Sequence, residues 1–261
     1  MRAVCLIQRI ALLCALAVSM TAPVRSAEPP TVAAASDLKF AIDEVAARFE
    51  RETGQRMRLV FGSSGNFFSQ IRQGAPFHLF MSADEDFVFR LADQGLTQDR
   101  GRLYAYGRIG LIVPRGSSLK ADGELRDLAK ALRDGRLKKF AIANPEHAPY
   151  GARAKEALQH AGVWADIEPR LVLGENISQA AQFATSGATQ GGIIALSLAK
   201  APQVSALGEF ALIPENWHRR LAQRMVLLRG APPAARAFYD YLATPAAQDI
   251  MRRHGFAMPG E

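Results

Sequence analysis

Apolar and polar positions along the chain switch between two periods. Thr31 to Ala35 forms a short strand-like run, followed by Ser36 and then by Leu38, Ala41, Ile42, Val45, Ala46 and Phe49 at helical spacing, closed by Gly54. That pattern predicts strand, tight turn, helix. Met57 to Phe61 alternates as a strand and runs into Gly62-Ser63-Ser64-Gly65-Asn66, after which Phe67 to Arg72 reads as a helix ended by Gly74. A third unit pairs a strand at Leu79 to Met81 with a helix at Glu85 to Gln94. Ile109 to Val113 is a further strand, placed to carry the chain out of this first unit.

The alternation resumes with a helix from Leu125 to Leu132, a strand at Phe140 to Ala143, a loop from Asn144 to Gly151 and a helix from Ala152 to Ala161. It continues through a strand at Arg170 to Leu173, the loop Gly174-Glu175-Asn176, a helix from Ser178 to Thr185 and a strand at Gly192 to Ala195. Met225 to Leu228 reads as a returning strand. Ala234 to His254 reads as two helices separated by Pro245 that pack on the first unit. Repeated βα alternation predicts an α/β protein of two doubly wound lobes. No long linker or fixed-period repeat interrupts the chain, so crossing strands join the lobes and a ligand lies between them. The expected division is lobe I at 27–107 and 224–261, and lobe II at 108–223.

Residues 1–26 change the picture of where the chain works. Arg2 and Arg9 precede or flank an apolar run from Ile10 to Met20, followed by small residues, as in a secretory signal peptide cleaved after Ser26. The run is shorter than the roughly 20 residues that span a bilayer, so a secreted periplasmic chain without direct membrane insertion is expected. Cys5 and Cys14, the only cysteines, both lie in this leader, which leaves no disulfide and no thiolate chemistry for the remainder. The 235 residues that follow suit two lobes. Their charge is +4, with 29 basic and 25 acidic residues. The basic residues (Arg48, Arg51, Arg72, Lys120, Lys130 and Arg170 among them) are scattered and not interleaved with stacking aromatics, which excludes nucleic acid as a partner and reads as a solvated surface.

The chemistry is concentrated where strands turn into helices. The first amides of a helix lack intrahelical acceptors and sit at the positive end of its dipole, so small hydroxyl residues there make an anion site without a lysine or arginine. Ser36, the Asp37 amide and Ser64 would donate from the first two turns; the same serines are also ordinary N-caps. In Asn144-Pro145-Glu146-His147-Ala148-Pro149-Tyr150-Gly151, two prolines fix the path and Gly151 lets backbone approach a ligand. Tyr150 offers its amide or hydroxyl there, whereas Glu146 and His147 read as a solvated pair. At Glu175-Asn176-Ile177-Ser178, Ile177 would donate its backbone N–H.

Taken together, Ala33-Ala34-Ala35-Ser36-Asp37-Leu38-Lys39-Phe40-Ala41, Gly62 to Asn66, Gly74-Ala75-Pro76, Ser82-Ala83-Asp84, Asn144 to Gly151 and Phe238-Tyr239-Asp240-Tyr241-Leu242 resemble the molybdate-binding proteins of bacterial ABC importers over essentially the whole chain after the leader. The resemblance implies a type II periplasmic-binding fold closing over a dehydrated oxyanion, molybdate or tungstate. By matched motif its donors are Ser36, the Asp37 amide, Ser64, Tyr150 and Ile177. It implies no metal cation, no cofactor and no catalysis, and names an inner-membrane permease with its ATPase as partners of a monomer. Two positions depart from the family pattern. Ala195 stands where many members place a tyrosine, and His78 where an acidic or amide residue is common. The Pro149-Tyr150-Gly151 variant shifts the missing donor onto Tyr150.

Molybdate and tungstate have longer metal–oxygen bonds than sulfate or phosphate, so a rigid cavity fitted to them would hold the smaller anions loosely. A site made only of donors would also offer protonated phosphate no acceptor. Two rival classes remain open: a binder or sensor of another oxyanion or small organic anion, and a secreted serine hydrolase using Ser36 or Ser64 with His147 and Asp84. The hydrolase lacks a Gly-x-Ser-x-Gly elbow.

Overall fold

The computed structural model describes residues 28–261, so the leader reading for residues 1–26 lies outside the described residues. Strand β1 (Thr31–Ala35) turns through a short 3₁₀ segment, Ser36–Leu38, into α1 (Lys39–Thr53). The stop is local: Gly54 adopts φ 71° and donates its N–H to the Glu50 carbonyl. Two more βα units follow, β2 (Arg58–Gly62) with α2 (Ser64–Arg72) and β3 (Leu79–Ser82) with α3 (Glu85–Asp93). Strand β4 (Arg102–Gly107) runs straight into β5 (Ile109–Pro114).

Next come α4 (Arg126–Arg133), β6 (Phe140–Ala143), α5 (Pro149–His160), the short α6 (Trp164–Ile167), β7 (Leu171–Gly174), α7 (Ile177–Thr185) and β8 (Gly192–Ala195). Two one-turn helices, α8 (Leu196–Ala199) and α9 (Pro202–Ser205), lead to β9 (Gly208–Leu212) and β10 (Leu221–Leu227). Helices α10 (Pro233–Tyr241) and α11 (Pro245–Arg253) finish the fold.

The strands form two five-stranded sheets, β2-β1-β3-β10-β4 and β7-β6-β8-β5-β9. In the first, β1 runs parallel to β2 and β3 while β10 is antiparallel to β3 and β4. The second repeats this plan, with β6 parallel to β7 and β8, and β5 antiparallel to β8 and β9. Each sheet therefore receives one strand from the segment that crosses between them. This is the two-sheet α/β architecture expected from the alternation of elements.

Period-two alternation accounts for the layers of the first sheet. Leu79, Met81, Met225 and Leu227 enter the main core, while Phe80 and Val226 point the other way, to Phe67, Phe68, Val88 and Leu91. The main core is continuous across the chain, from Val32 and Ile42 to Ile142 and Ile193. Phe238 of α10 meets Phe49 of α1 edge to face at 5.2 Å, so the C-terminal helices pack on the first sheet, as the sequence predicts.

Several boundaries differ from expectation, each for a physical reason. Helix α2 starts at Ser64 rather than Phe67, because Ser63 caps it by accepting the Asn66 N–H. Helix α5 starts at Pro149 rather than Ala152, since proline at the first position needs no donor. Gly151 thus lies inside a helix. A Cβ there would stand 2.1 Å from the Ala143 carbonyl oxygen, so this glycine lets α5 approach the end of β6 rather than a ligand. Strand β10 begins at Leu221, four residues before Met225. Strands β4 and β9 lie at the sheet edges, where half-exposed residues blunt the apolar signal.

Candidate functional site

Four strand-to-helix turns meet at one place. Those after β1 and β2 come from adjacent strands of the first sheet, and those after β6 and β7 from adjacent strands of the second. The crevice beyond the carboxyl ends of parallel strands is where open α/β sheets bind ligands. Ser36, Asp37, Ser64, Tyr150 and Ile177 line a single small cavity here, with Ser63 and apolar, glycine or proline residues as its other walls. All five are almost fully buried. No lysine, arginine or histidine lines it.

Donor geometry follows from the caps. At α7, Asn176 accepts the N–H groups of Ser178 and Gln179 through its side chain, which leaves the Ile177 amide as the first helical donor without an intrahelical acceptor. At α2, Ser63 rather than Ser64 is the cap. The Ser64 hydroxyl accepts the Ala83 N–H at 3.0 Å and so keeps its own proton to donate. Ser36 accepts the Ser178 N–H at 3.3 Å through its hydroxyl, with the same consequence.

Tyr150 is held differently. Its hydroxyl lies 2.9 Å from Asp37 Oδ2, and Gln223 Nε2 donates to both, at 3.0 Å to the tyrosine and 2.7 Å to the carboxyl. The Tyr104 hydroxyl donates to Gln223 Oε1 at 2.8 Å, which fixes the amide's orientation. Asp37 Oδ1 has no partner although buried. Burial raises the Asp37 carboxyl to a pKa of about 6, against the opposing hydrogen bonds from Gln223 and Tyr150. Asp37 thus brings a buried carboxyl group beside the proposed donors. Gln223 and Tyr104, which anchor the network, have no local motif; both come from antiparallel strands of the first sheet.

The two halves of the crevice are in direct contact. Ser178 Oγ donates to the Ser36 carbonyl at 2.9 Å and Ser197 Oγ to the Asp37 carbonyl at 2.8 Å. The Gly65 N–H donates to the His147 carbonyl at 2.9 Å. His147 Nδ1 lies 3.0 Å from Ser63 Oγ and its Nε2 3.6 Å from Glu175. The reading of Glu146 and His147 as a solvated pair therefore holds for exposed Glu146 alone. Arg153 of α5, almost fully buried, pairs with Asp84 at 2.6 Å and with Glu156 at 2.6 Å. The hydrolase constellation is not assembled: His147 faces Ser63 instead of Ser36 or Ser64, and Asp84 is committed to Arg153. Ala195 presents only a buried methyl group. His78 accepts the Thr31 N–H at the opposite end of β1, away from the cavity.

Among the described residues no cluster of His, Cys, Asp or Glu is arranged to hold a metal ion, and no helix is long and apolar enough to cross a membrane. Fold, cleft and buried donors together define a solute-binding protein. Residues 30–257 match the bacterial extracellular solute-binding proteins, and the chain belongs to that family. It is 35% identical to the molybdate-binding protein ModA of Rhodobacter capsulatus, over 82% of each chain. The molybdate-binding protein ModA of Azotobacter vinelandii is 32% identical over 95% of this chain and 97% of the relative. The solved structure of the Azotobacter vinelandii periplasmic molybdate-binding protein superposes with a TM-score of 0.79, covering 88% of this chain and 99% of that one at 27% identity. The type II binding fold expected from the resemblance is therefore the fold observed. The chain is a binding component, not an enzyme.

Proposed function

We propose that this chain captures molybdate, and tungstate with it, in the cavity between its lobes and delivers it to an ABC permease and its ATPase. One observation carries the reading: the turns after β1, β2, β6 and β7 bring Ser36, the Asp37 amide, Ser64, Tyr150 and the Ile177 amide to one buried cavity without a cationic side chain. Such donors bind the anion's oxygens, not its metal centre. The molybdate-binding relatives at 32–35% identity support the choice of anion. In this reading residues 1–26 are a removed leader and the chain works in the periplasm as a monomer. Lobe I comprises 27–107 and 224–261, and lobe II 108–223.

Nanomolar capture requires about −12 kcal/mol, and hydrogen bonds to a charged group contribute roughly 1.5–3 kcal/mol each. Five to seven donors reach this only when they are ordered beforehand, as helix caps and buried carbonyl contacts order these. A thermal-shift series tests the reading. Molybdate and tungstate raise the melting temperature, while sulfate and phosphate leave it nearly unmoved. Equal shifts with sulfate would refute the assignment.

A further inference from the structure

The positive charge of the chain sits at one end of it. Residues 115–139 hold 8 basic and 4 acidic residues; taking these from the 29 and 25 that follow the leader leaves 21 of each elsewhere. The whole excess of +4 thus belongs to the turn after β5, to α4 and to the stretch leading into β6. The four acids there are occupied. Asp127 and Asp134 pair with Arg136 at 3.1 and 2.9 Å, Glu124 pairs with Arg126, and Asp122 accepts the Arg126 and Asp127 N–H groups at the start of α4. Arg115, Lys120, Lys130, Arg133, Lys138 and Lys139 are exposed and form no ion pair among the described residues.

Hydrogen bonds gather these six on one surface. Gln190 Oε1 accepts the Lys138 and Lys139 N–H groups at 2.9 and 2.7 Å, and the Gln190 carbonyl accepts the Ser117 hydroxyl at 2.6 Å. Arg136 donates to the Ser118 carbonyl, and the Leu137 N–H to the Ala131 carbonyl, which folds the stretch back onto α4. This surface lies at the end of the second sheet opposite the cavity. Strands β6 and β8 begin there and carry their carboxyl ends to the crevice, while antiparallel β5 ends there. Lys120 and Lys130, scattered in sequence, therefore share one pole. A place in the last turn of α4, at the negative end of its dipole, accounts for Lys130 and Arg133. It does not account for Arg115, Lys120, Lys138 and Lys139.

We propose that this pole docks on the surface of an anionic phospholipid membrane, with the cavity facing away from the lipid. The inference goes beyond molybdate capture and does not depend on it. Interfaces with proteins are enriched in aromatic residues and depleted of lysine. Here four of the six unpaired cations are lysines, and residues 115–139 contain no Phe, Tyr or Trp. Flexible cations without an aromatic anchor suit the diffuse charge of a headgroup layer, which attracts basic residues within a Debye length of the surface. The adjoining hollow of about 400 Å³, lined by Arg115, Ser117, Ser118, Ser186 and Gly187 among others, has no carboxylate in its wall. A chain held by this pole stays beside the bilayer without inserting into it.

Co-sedimentation of the chain without its leader on lipid vesicles tests the docking. Vesicles of phosphatidylcholine with about 30% phosphatidylglycerol should take up the chain, and vesicles of phosphatidylcholine alone should not. Uptake should fall at least about tenfold between about 50 and about 500 mM salt. Lys130→Gln/Lys138→Gln/Lys139→Gln should lose at least about tenfold in vesicle affinity, with melting and the molybdate Kd as in the wild type. Arg51→Gln/Arg58→Gln/Arg229→Gln removes the same charge from exposed positions outside the pole and should stay within about threefold of wild type. No uptake at low salt would overturn the proposal. So would equal losses in the two variants, since net charge and not the pole would then be acting. Retention on immobilised polyglutamate without uptake by vesicles would overturn it in favour of an acidic protein.

Discussion

Asp37 is a carboxyl group whose burial, without a charged neighbour, carries it toward neutral pH. Its carboxyl is raised by burial, so the folded chain binds a proton more readily than the unfolded chain between the ordinary pKa and about 6. The resulting penalty is absent in acid and develops as pH rises through that interval. In the unliganded protein, Asp37→Asn should therefore add about 1–3 kcal/mol of stability at neutral pH. Thermal melts at about pH 7.5 and pH 4 should show a gain of several degrees that disappears in acid; a gain unchanged at both would deny the burial penalty. Ser64→Ala removes one hydroxyl donor to a charged ligand and should weaken molybdate binding about 10- to 100-fold by calorimetry. The five proposed binding residues were legible because each sits at or beside a helix start, where small, hydroxyl or proline residues leave a local pattern. Gln223 and Tyr104 were not. Gln223 meets Asp37 across 186 residues of sequence and Tyr104 meets Gln223 across 119, and an interior glutamine on a strand announces nothing by its neighbours.

Among the elements, β6, β8 and the core of α1 could be read from apolar runs alone, and the start of α3 at Glu85 was placed to the residue, whereas the starts of α2 and α5 were not. Ser63, Ser64 and Pro149 all tolerate loop or first-turn geometry, and the choice is made by caps and tertiary contacts that no single turn contains. His147 shows the same limit: a polar residue in a proline-rich loop reads as solvated until the facing helix is in place. Helix α2 supplies the test at this scale. A Cβ on Gly65 would lie 2.6 Å from the His147 carbonyl oxygen and 2.9 Å from its Cα, both backbone atoms of the opposite side of the crevice. Gly65→Ala should lower the stability of the chain by about 1–3 kcal/mol, because the His147 backbone must shift to admit the methyl group. It should also weaken molybdate binding more than tenfold by calorimetry. Unchanged affinity would mean that contact between α2 and the β6–α5 loop is dispensable.

For the whole molecule, the two sheets repeat one strand plan and meet through polar contacts that ring the cavity. Arg153–Asp84, His147–Ser63, Ser178–Ser36 and Ser197–Asp37 all join residues more than 60 positions apart. A cleft ringed by such contacts excludes water, and exclusion of water is what lets neutral donors hold a dianion. The architecture was legible in the alternation of strands and helices; the closed crevice was not, since it depends on pairs that only the fold brings together. The most direct test of the central claim is calorimetry on the chain without its leader, titrated in turn with molybdate, tungstate, sulfate and phosphate. Tight, saturable, one-to-one binding of molybdate and tungstate, with sulfate and phosphate at least about 1,000-fold weaker (~4 kcal/mol), is the result predicted. Comparable binding of sulfate or phosphate, or no binding of molybdate, would contradict it.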